Sequence, residues 1–408
     1  MIKAQRQKFN QTTTKTKSTT NPKSKLAAEQ VAEMVKARLP SQSSSGSTPA
    51  KYSKLYIVCH YPMPYSNPHR YSIYQIDLTC TKTLKPPSPA PLNPIITLDQ
   101  SFPNDMAVIV LLGHLLLFGG DSLFVKQGTR SSGRLVKKRI EEKVITWTSD
   151  MLIFDFTKSS KCLSLSTSSM VKGPNMKSPK IYPAAVILDE VKICVFSLCL
   201  VDKSGVQLQH YPPNFEVYNT LTGNWSELPE PFDYSSQVSI NSYVIGKSTL
   251  FISTECFGIS FIDIRNGIWQ KFDCSPKVAR FRFHSYGVII DSLCLLSKNA
   301  YDIQNMDSFA LLPKSETNDL VPSDNHGGSV SLMENDRFVT ARIGFLGVSS
   351  TSELLGDYIP HLFVDVYEYT KGRTVAMTKV TRVDTFRYFV TDQKLDIAAA
   401  IGCFPACF

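Results

Sequence analysis

The stretch Phe215-Glu-Val-Tyr-Asn-Thr-Leu-Thr-Gly-Asn-Trp-Ser-Glu-Leu-Pro229 decides how the chain is read. Its first four residues suit a strand, Thr-Gly-Asn suits a tight turn, and Trp225 to Leu228 form a short return strand. Two apolar runs of strand length precede it, Pro183 to Leu188 and Lys192 to Leu198. The unit is therefore four antiparallel strands, and searching for its recurrence takes priority over placing single strands.

The order recurs along the chain. Third strands carry an aromatic or aliphatic residue beside an acidic or polar one: Ile73-Tyr-Gln-Ile76, Ile153-Phe-Asp-Phe156, Phe215-Glu-Val-Tyr218, Phe261-Ile-Asp-Ile264, Tyr301-Asp-Ile-Gln304 and Phe363-Val-Asp-Val-Tyr367. Unit two then uses Ala107 to Leu112, His114 to Gly119, Met151 to Phe156 and Cys162 to Ser166. Unit four uses Ser239 to Ile245, Thr249 to Ser253, Ile259 to Ile264 and Ile268 to Phe272; unit five uses His284 to Ile290, Leu293 to Ser297, Tyr301 to Ile303 and Phe309 to Leu312. Unit six uses Ser329 to Met333, Phe338 to Ile343, Leu362 to Tyr367 and Val375 to Val380. Unit one opens on Leu55-Tyr-Ile-Val-Cys59, a second strand without a first, while Asp396 to Phe404 is a spare strand at the other end. Placing the spare strand in unit one closes a ring and removes an open sheet edge. The expected fold is all-β, a six-bladed propeller over residues 54–408.

Leu115-Leu-Leu-Phe-Gly-Gly120 resembles the kelch glycine doublet that closes a second strand, and Phe215 to Leu228 resembles the kelch aromatic strand, turn and Trp. Phe261-Ile-Asp-Ile-Arg-Asn-Gly-Ile-Trp269 repeats the turn and Trp, whereas Gly327-Gly328 precedes a first strand and falls outside the pattern. The resemblance is to a degenerate kelch propeller of the kind common in plants, where many follow an F-box; no F-box helices stand before this one. It implies a propeller that binds proteins.

Charge narrows the partners. The formal net charge is +9, from 44 Lys and Arg against 35 Asp and Glu. Residues 1–54 hold eleven of the cations and only Glu29 and Glu33 as acids, so the remainder carries 33 of each sign. A neutral body excludes the extended basic groove that nucleic acid needs. Residues 1–53, rich in Thr, Ser, Lys and Gln, have too few apolar side chains to offset ordering and are expected to be a disordered tail. Leu26 to Arg38 has helical spacing, and the tail's composition also fits an organelle transit peptide. Without a secretory signal or a membrane-length apolar run, the expected location is cytoplasm or nucleus, with Asn224-Trp-Ser226 unglycosylated and the chain monomeric. Ten scattered cysteines without a CxxC pair read as buried thiols, not zinc ligands or disulfides.

Candidates for chemistry are few. Glu353, Asp357 and His361 stand at four-residue intervals in an insertion of unit six, a spacing found in the iron-binding specifier proteins of the plant kelch group. A carboxylate pair and an imidazole could hold a divalent metal. This metal-dependent reading is the alternative to a scaffold, with a carbohydrate-binding propeller as a third. The seven histidines lack ligand-like pairing, His114 and His284 sit at strand starts as structural residues, and no GxSxG, P-loop, Rossmann or HExxH motif occurs. The expectation is a non-enzymatic scaffold without catalytic residues, cofactor or metal.

Strand alternation places that scaffold's binding face. Second-to-third loops and fourth-to-first links leave one face of a propeller, and the long segments fall there: Pro62 to Arg70, Asp121 to Asp150, Val201 to Asn214, Gly344 to His361, Pro86 to Asn104 and Lys314 to His326. The other face holds tight turns such as Thr222 to Asn224 and Arg265 to Gly267. Tyr61, Tyr65, His69, Arg70, Lys137, Lys138 and Arg139 are the expected partner-binding residues of the first face. The basic run Arg130 to Lys143 reads as a solvated loop or short helix that could also meet an acidic partner.

Overall fold

The computed structural model describes residues 54–60, 69–78, 90–111, 113–131, 137–156, 163–188, 191–200, 213–231, 238–246, 249–254, 256–271, 287–290, 293–296, 299–302, 308–311, 320–321, 329–333, 337–346, 359–370, 379–390 and 399–406. Among these, a single 3-10 turn at Thr167–Ser169 is the one helical element, and no helix is long and apolar enough to cross a membrane.

The deciding stretch folds as read. Pro183–Leu188, Lys192–Ser197, Phe215–Asn219 and Asn224–Glu227 pair in that order, all antiparallel. Successive residues of these strands bury on opposite faces: Cys194, Phe196, Phe215 and Val217 pack toward the following blade, Ile193, Val195 and Tyr218 toward the preceding one. Both faces are dry, which is why the strands are nearly continuous apolar runs. The core is thus a series of layers between neighbouring blades.

Each family-like residue has a mechanical task. Gly223 and Gly267 sit at φ 70° and 69° in their turns, where Asn219 and Asp263 side chains accept backbone N–H bonds from Leu221 and Arg265. The Trp225 indole donates to the Pro174 carbonyl at 2.8 Å, and the Trp269 indole to Pro229 at 2.7 Å, both in the link that enters the blade. The same rings meet aromatics of the preceding blade edge-on, Phe118 at 6.0 Å and Phe215 at 5.2 Å. Gly119 and Gly120 both have positive φ, and a Cβ on Gly120 would lie 2.6 Å from the Asn104 carbonyl oxygen.

The ring closes through unit one. Ala399–Ala406 pairs antiparallel with Lys54–His60, from Lys54↔Ala406 to His60↔Ala399, with a bulge between Val58 and Cys59. The closing strand starts three residues later than the expected Asp396; residues 391–398 lie outside the described set.

The blade count is corrected. Among the described residues the arrangement has five blades, not six, although strands of all six repeats are found. Val238–Gly246, the inner strand of the fourth repeat, pairs in parallel with Gly287–Ile290 of the fifth through Val244↔Gly287 and Ile245↔Val288, so both repeats share one nine-stranded sheet. Gly287 at the contact has no side chain to hold the two backbones apart.

Four boundaries also shift. Leu163–Leu165 is not the outer strand of blade two; it crosses to pair in parallel with Ile96–Asp99 on the outside of blade one, and Val171–Lys172 takes its place. Pro86 to Asn104 is not a plain link, since it contains Ile96–Asp99 and also Ala90–Leu92, which pairs in parallel with Lys379–Val390 of the last sheet. That outer strand runs from Lys379, not from Val375 to Val380. Asp121–Ser131 and Lys137–Trp147 form a two-stranded antiparallel hairpin of eleven pairs, in place of the expected loop or short helix.

Two outcomes check this account. Deleting residues 393–408 is expected to abolish soluble protein by baring the edge of Lys54–His60, whereas deleting residues 1–50 leaves the melting temperature unchanged, both read by solubility and thermal denaturation. Gly120→Ala is expected to destabilise by about 3 kcal/mol or more, because positive φ and a close approach combine. Gly258→Ala and Gly267→Ala, at φ 73° and 69° with open space around the Cβ, should lose about 1 kcal/mol each in urea titrations.

Candidate interaction face

The ends of second strands, the starts of third strands and the links entering first strands meet on one face of the ring. Three described clusters lie there. Between blades one and two, His60 stacks on Tyr71 with ring centroids 4.8 Å apart, and its Nε2 lies 3.9 Å from an Asp105 carboxylate oxygen. The Tyr71 hydroxyl accepts the Met106 N–H at 2.7 Å. Asn104 and Asp121 exchange two backbone hydrogen bonds of 2.9 Å, which tie the hairpin's first residue to the interblade link.

Between blades two and three lies a buried ion pair. Lys180 and Glu216 are both fully buried and bonded to each other. The ammonium also donates to the Ser178 carbonyl at 2.9 Å, the Ser178 hydroxyl at 2.8 Å and the Pro213 carbonyl at 3.0 Å. The carboxylate accepts the backbone N–H of Lys177 at 2.8 Å and of Ser178 at 3.1 Å. Such saturation is what lets two charges leave water. Burial pushes the Lys180 ammonium below its usual range, while the Glu216 charge pulls it back up. The pair fastens the link entering blade three to the third strand of that blade.

The third cluster follows two residues later. Tyr182 takes φ 48°, rare for a bulky residue, and is 51% exposed. Its ring meets the Trp147 ring edge-on at 5.0 Å at the foot of the hairpin, and Trp147 in turn packs against Ile181 and Cys199. Thr148 N–H bonds the Gly120 carbonyl at 3.0 Å and Gly119 N–H bonds Asp150 at 2.9 Å, so the foot is pinned to blade two.

The sequence candidates divide. Tyr61 and Tyr65 lie outside the described residues, as do Glu353 and Asp357 of the metal candidate. His69 and Arg70 open the strand His69–Asp77, and Lys137, Lys138 and Arg139 open the hairpin's second strand, Lys137–Trp147, opposite Ser131, Arg130 and Thr129. His361 does not lie in a loop: it belongs to the strand Ile359–Thr370, pairs with Gly344 and is 3% exposed. Among the described residues no group of three His, Cys, Asp or Glu could hold a metal. His114 opens its strand as a buried residue with Nε2 3.8 Å from Asp155, on the short-turn side, and His284 is outside the described set. Burial pushes the Cys59 and Cys194 thiols up to about 12, so neither supplies a thiolate.

Sequence reasoning missed Lys180 and Tyr182. The signal for the first was Glu216 in the acidic slot of its third strand; for the second no pattern announces a positive φ.

No family profile and no curated protein matches the chain. Among solved structures, the computationally designed Ika8 protein aligns with a TM-score of 0.31 and 8% identity over 84% of this chain and 98% of that one. Apo AztD from Citrobacter koseri aligns with a TM-score of 0.31 and 10% identity over 87% and 98%.

Lys180→Ala is expected to destabilise the protein by about 3–5 kcal/mol by leaving Glu216 buried alone. The double change Lys180→Met, Glu216→Leu should lose less than the single one, a comparison that urea unfolding of the three proteins decides.

Proposed function

We propose that the chain is a non-enzymatic protein-interaction scaffold of kelch type, monomeric and cytoplasmic or nuclear, that holds a protein partner on the long-segment face as the substrate-recognition part of a larger complex. One observation carries this reading: the eleven-pair hairpin and the exposed, strained Tyr182 stand together on one face, anchored to a ring whose cores are closed. Binding residues concentrate on segments projected from a rigid frame, and aromatic side chains held in place lose little entropy on docking.

Affinity capture from the source organism, followed by mass spectrometry, supplies the partner. Alanine clusters at Tyr65, His69 and Arg70, or at Lys137, Lys138 and Arg139, are expected to lower capture about tenfold with an unchanged melting temperature. Clusters in the turns Thr222 to Asn224 and Arg265 to Gly267 should leave it intact. Capture lost only through the turn clusters would reverse the face.

A further inference from the structure

We infer that the hairpin Asp121–Ser131/Lys137–Trp147 and the Tyr182 ring form one docking site for an acidic, extended protein segment with an aromatic or aliphatic anchor at one end. The inference rests on the scaffold reading and names the partner's chemistry. The described strand ends carry Arg130 on one strand and Lys137, Lys138 and Arg139 on the other, with no acid among residues 129–131 and 137–140. The register places Arg130 level with Lys138.

The hairpin has no third strand among the described residues, and its eleven pairs span about 35 Å, so an extended segment can run its length beside an open edge. At the foot, the Trp147 and Tyr182 rings offer an apolar end stop, with Tyr182 held at φ 48° and 51% exposed. Glu141 and Glu142 stand opposite Gln127 and Lys126, midway along. The body outside residues 1–54 has no net charge to draw a long polyanion in, which argues for a short acidic peptide over a nucleic acid.

Fluorescence anisotropy on the full chain tests this with a labelled peptide that alternates Glu and Ser and ends in Phe, its Lys-for-Glu counterpart, and a poly-dT strand. The acidic peptide should bind in a salt-sensitive way. Binding should weaken about tenfold or more in Lys137→Glu/Lys138→Glu/Arg139→Glu and in Tyr182→Gly, a change that removes the ring while accepting the same φ. The Lys peptide should not bind. No binding of the acidic peptide, binding untouched by both variants at unchanged melting temperature, or poly-dT binding that falls further than peptide binding in the hairpin variant would each overturn the inference. Native-partner capture that falls in the Tyr65, His69 and Arg70 cluster but survives in the hairpin and Tyr182 variants would leave the scaffold standing and reject this site.

Discussion

The pairing of Ala399–Ala406 with Lys54–His60 joins opposite ends of the described chain, and the ring exists only while it holds. Closing a loop of this length costs about 5 kcal/mol of chain entropy by the logarithmic law. The strand it covers buries Leu55, Tyr56, Ile57, Val58 and Cys59, at about 1.5–3 kcal/mol for each large apolar side chain, which exceeds the closure cost. The gain is shared by both flanking layers: Leu55, Ile57 and Cys59 pack toward the last sheet, Tyr56 and Val58 toward blade two. Neighbouring blades are therefore fixed by the same strand that completes their own sheet.

Exchange between blades continues outside the ring. Ala90–Leu92 leaves blade one to extend the last sheet, and Leu163–Leu165 leaves the second repeat to extend blade one. Each covers an outer edge that would otherwise offer unpaired N–H and C=O groups. Further round, the seams are held by side chains instead: Trp225 reaches the Pro174 carbonyl and Trp269 the Pro229 carbonyl. Both devices tie a blade to its neighbour.

The all-β class, the repeat order and the closing strand were legible because each depends on local pattern: strand-length apolar runs, turn glycines and a missing first strand. The outer exchanges were not, since a three-residue strand such as Leu163-Ser-Leu165 has no periodicity to read and its partner lies in another repeat. A separate sixth blade was misread for a related reason, because whether adjacent inner strands pair depends on how closely two backbones approach at Gly287. The hairpin was hidden by its charges. Arg130-Ser-Ser-Gly-Arg-Leu-Val-Lys-Lys-Arg139 reads as solvated, yet the β-branched run Val144-Ile-Thr146 beside Trp147 at its foot is a strand signal. Strand parity alone puts the second-to-third loops and the interblade links on one side, whereas Tyr182 depended on a backbone angle that composition does not encode.

That angle has a cause within the fold. Lys177 and Ser178 are bonded through their backbone N–H groups to Glu216, and Lys180 through its ammonium, so the link entering blade three is fixed up to residue 180. Pro183 must then start the inner strand opposite Ser197, which leaves Ile181 and Tyr182 to absorb the change of direction. The Ser197 hydroxyl takes the Ile181 N–H at 3.1 Å and turns Ile181 inward, so the positive φ falls on Tyr182 and its ring is turned out beside Trp147. A left-handed conformation in a bulky residue costs of order 1–3 kcal/mol and persists only where the surroundings over-determine it. Here the buried ion pair on one side and the strand register on the other do so, and the exposed aromatic is a consequence of how the blade is fastened.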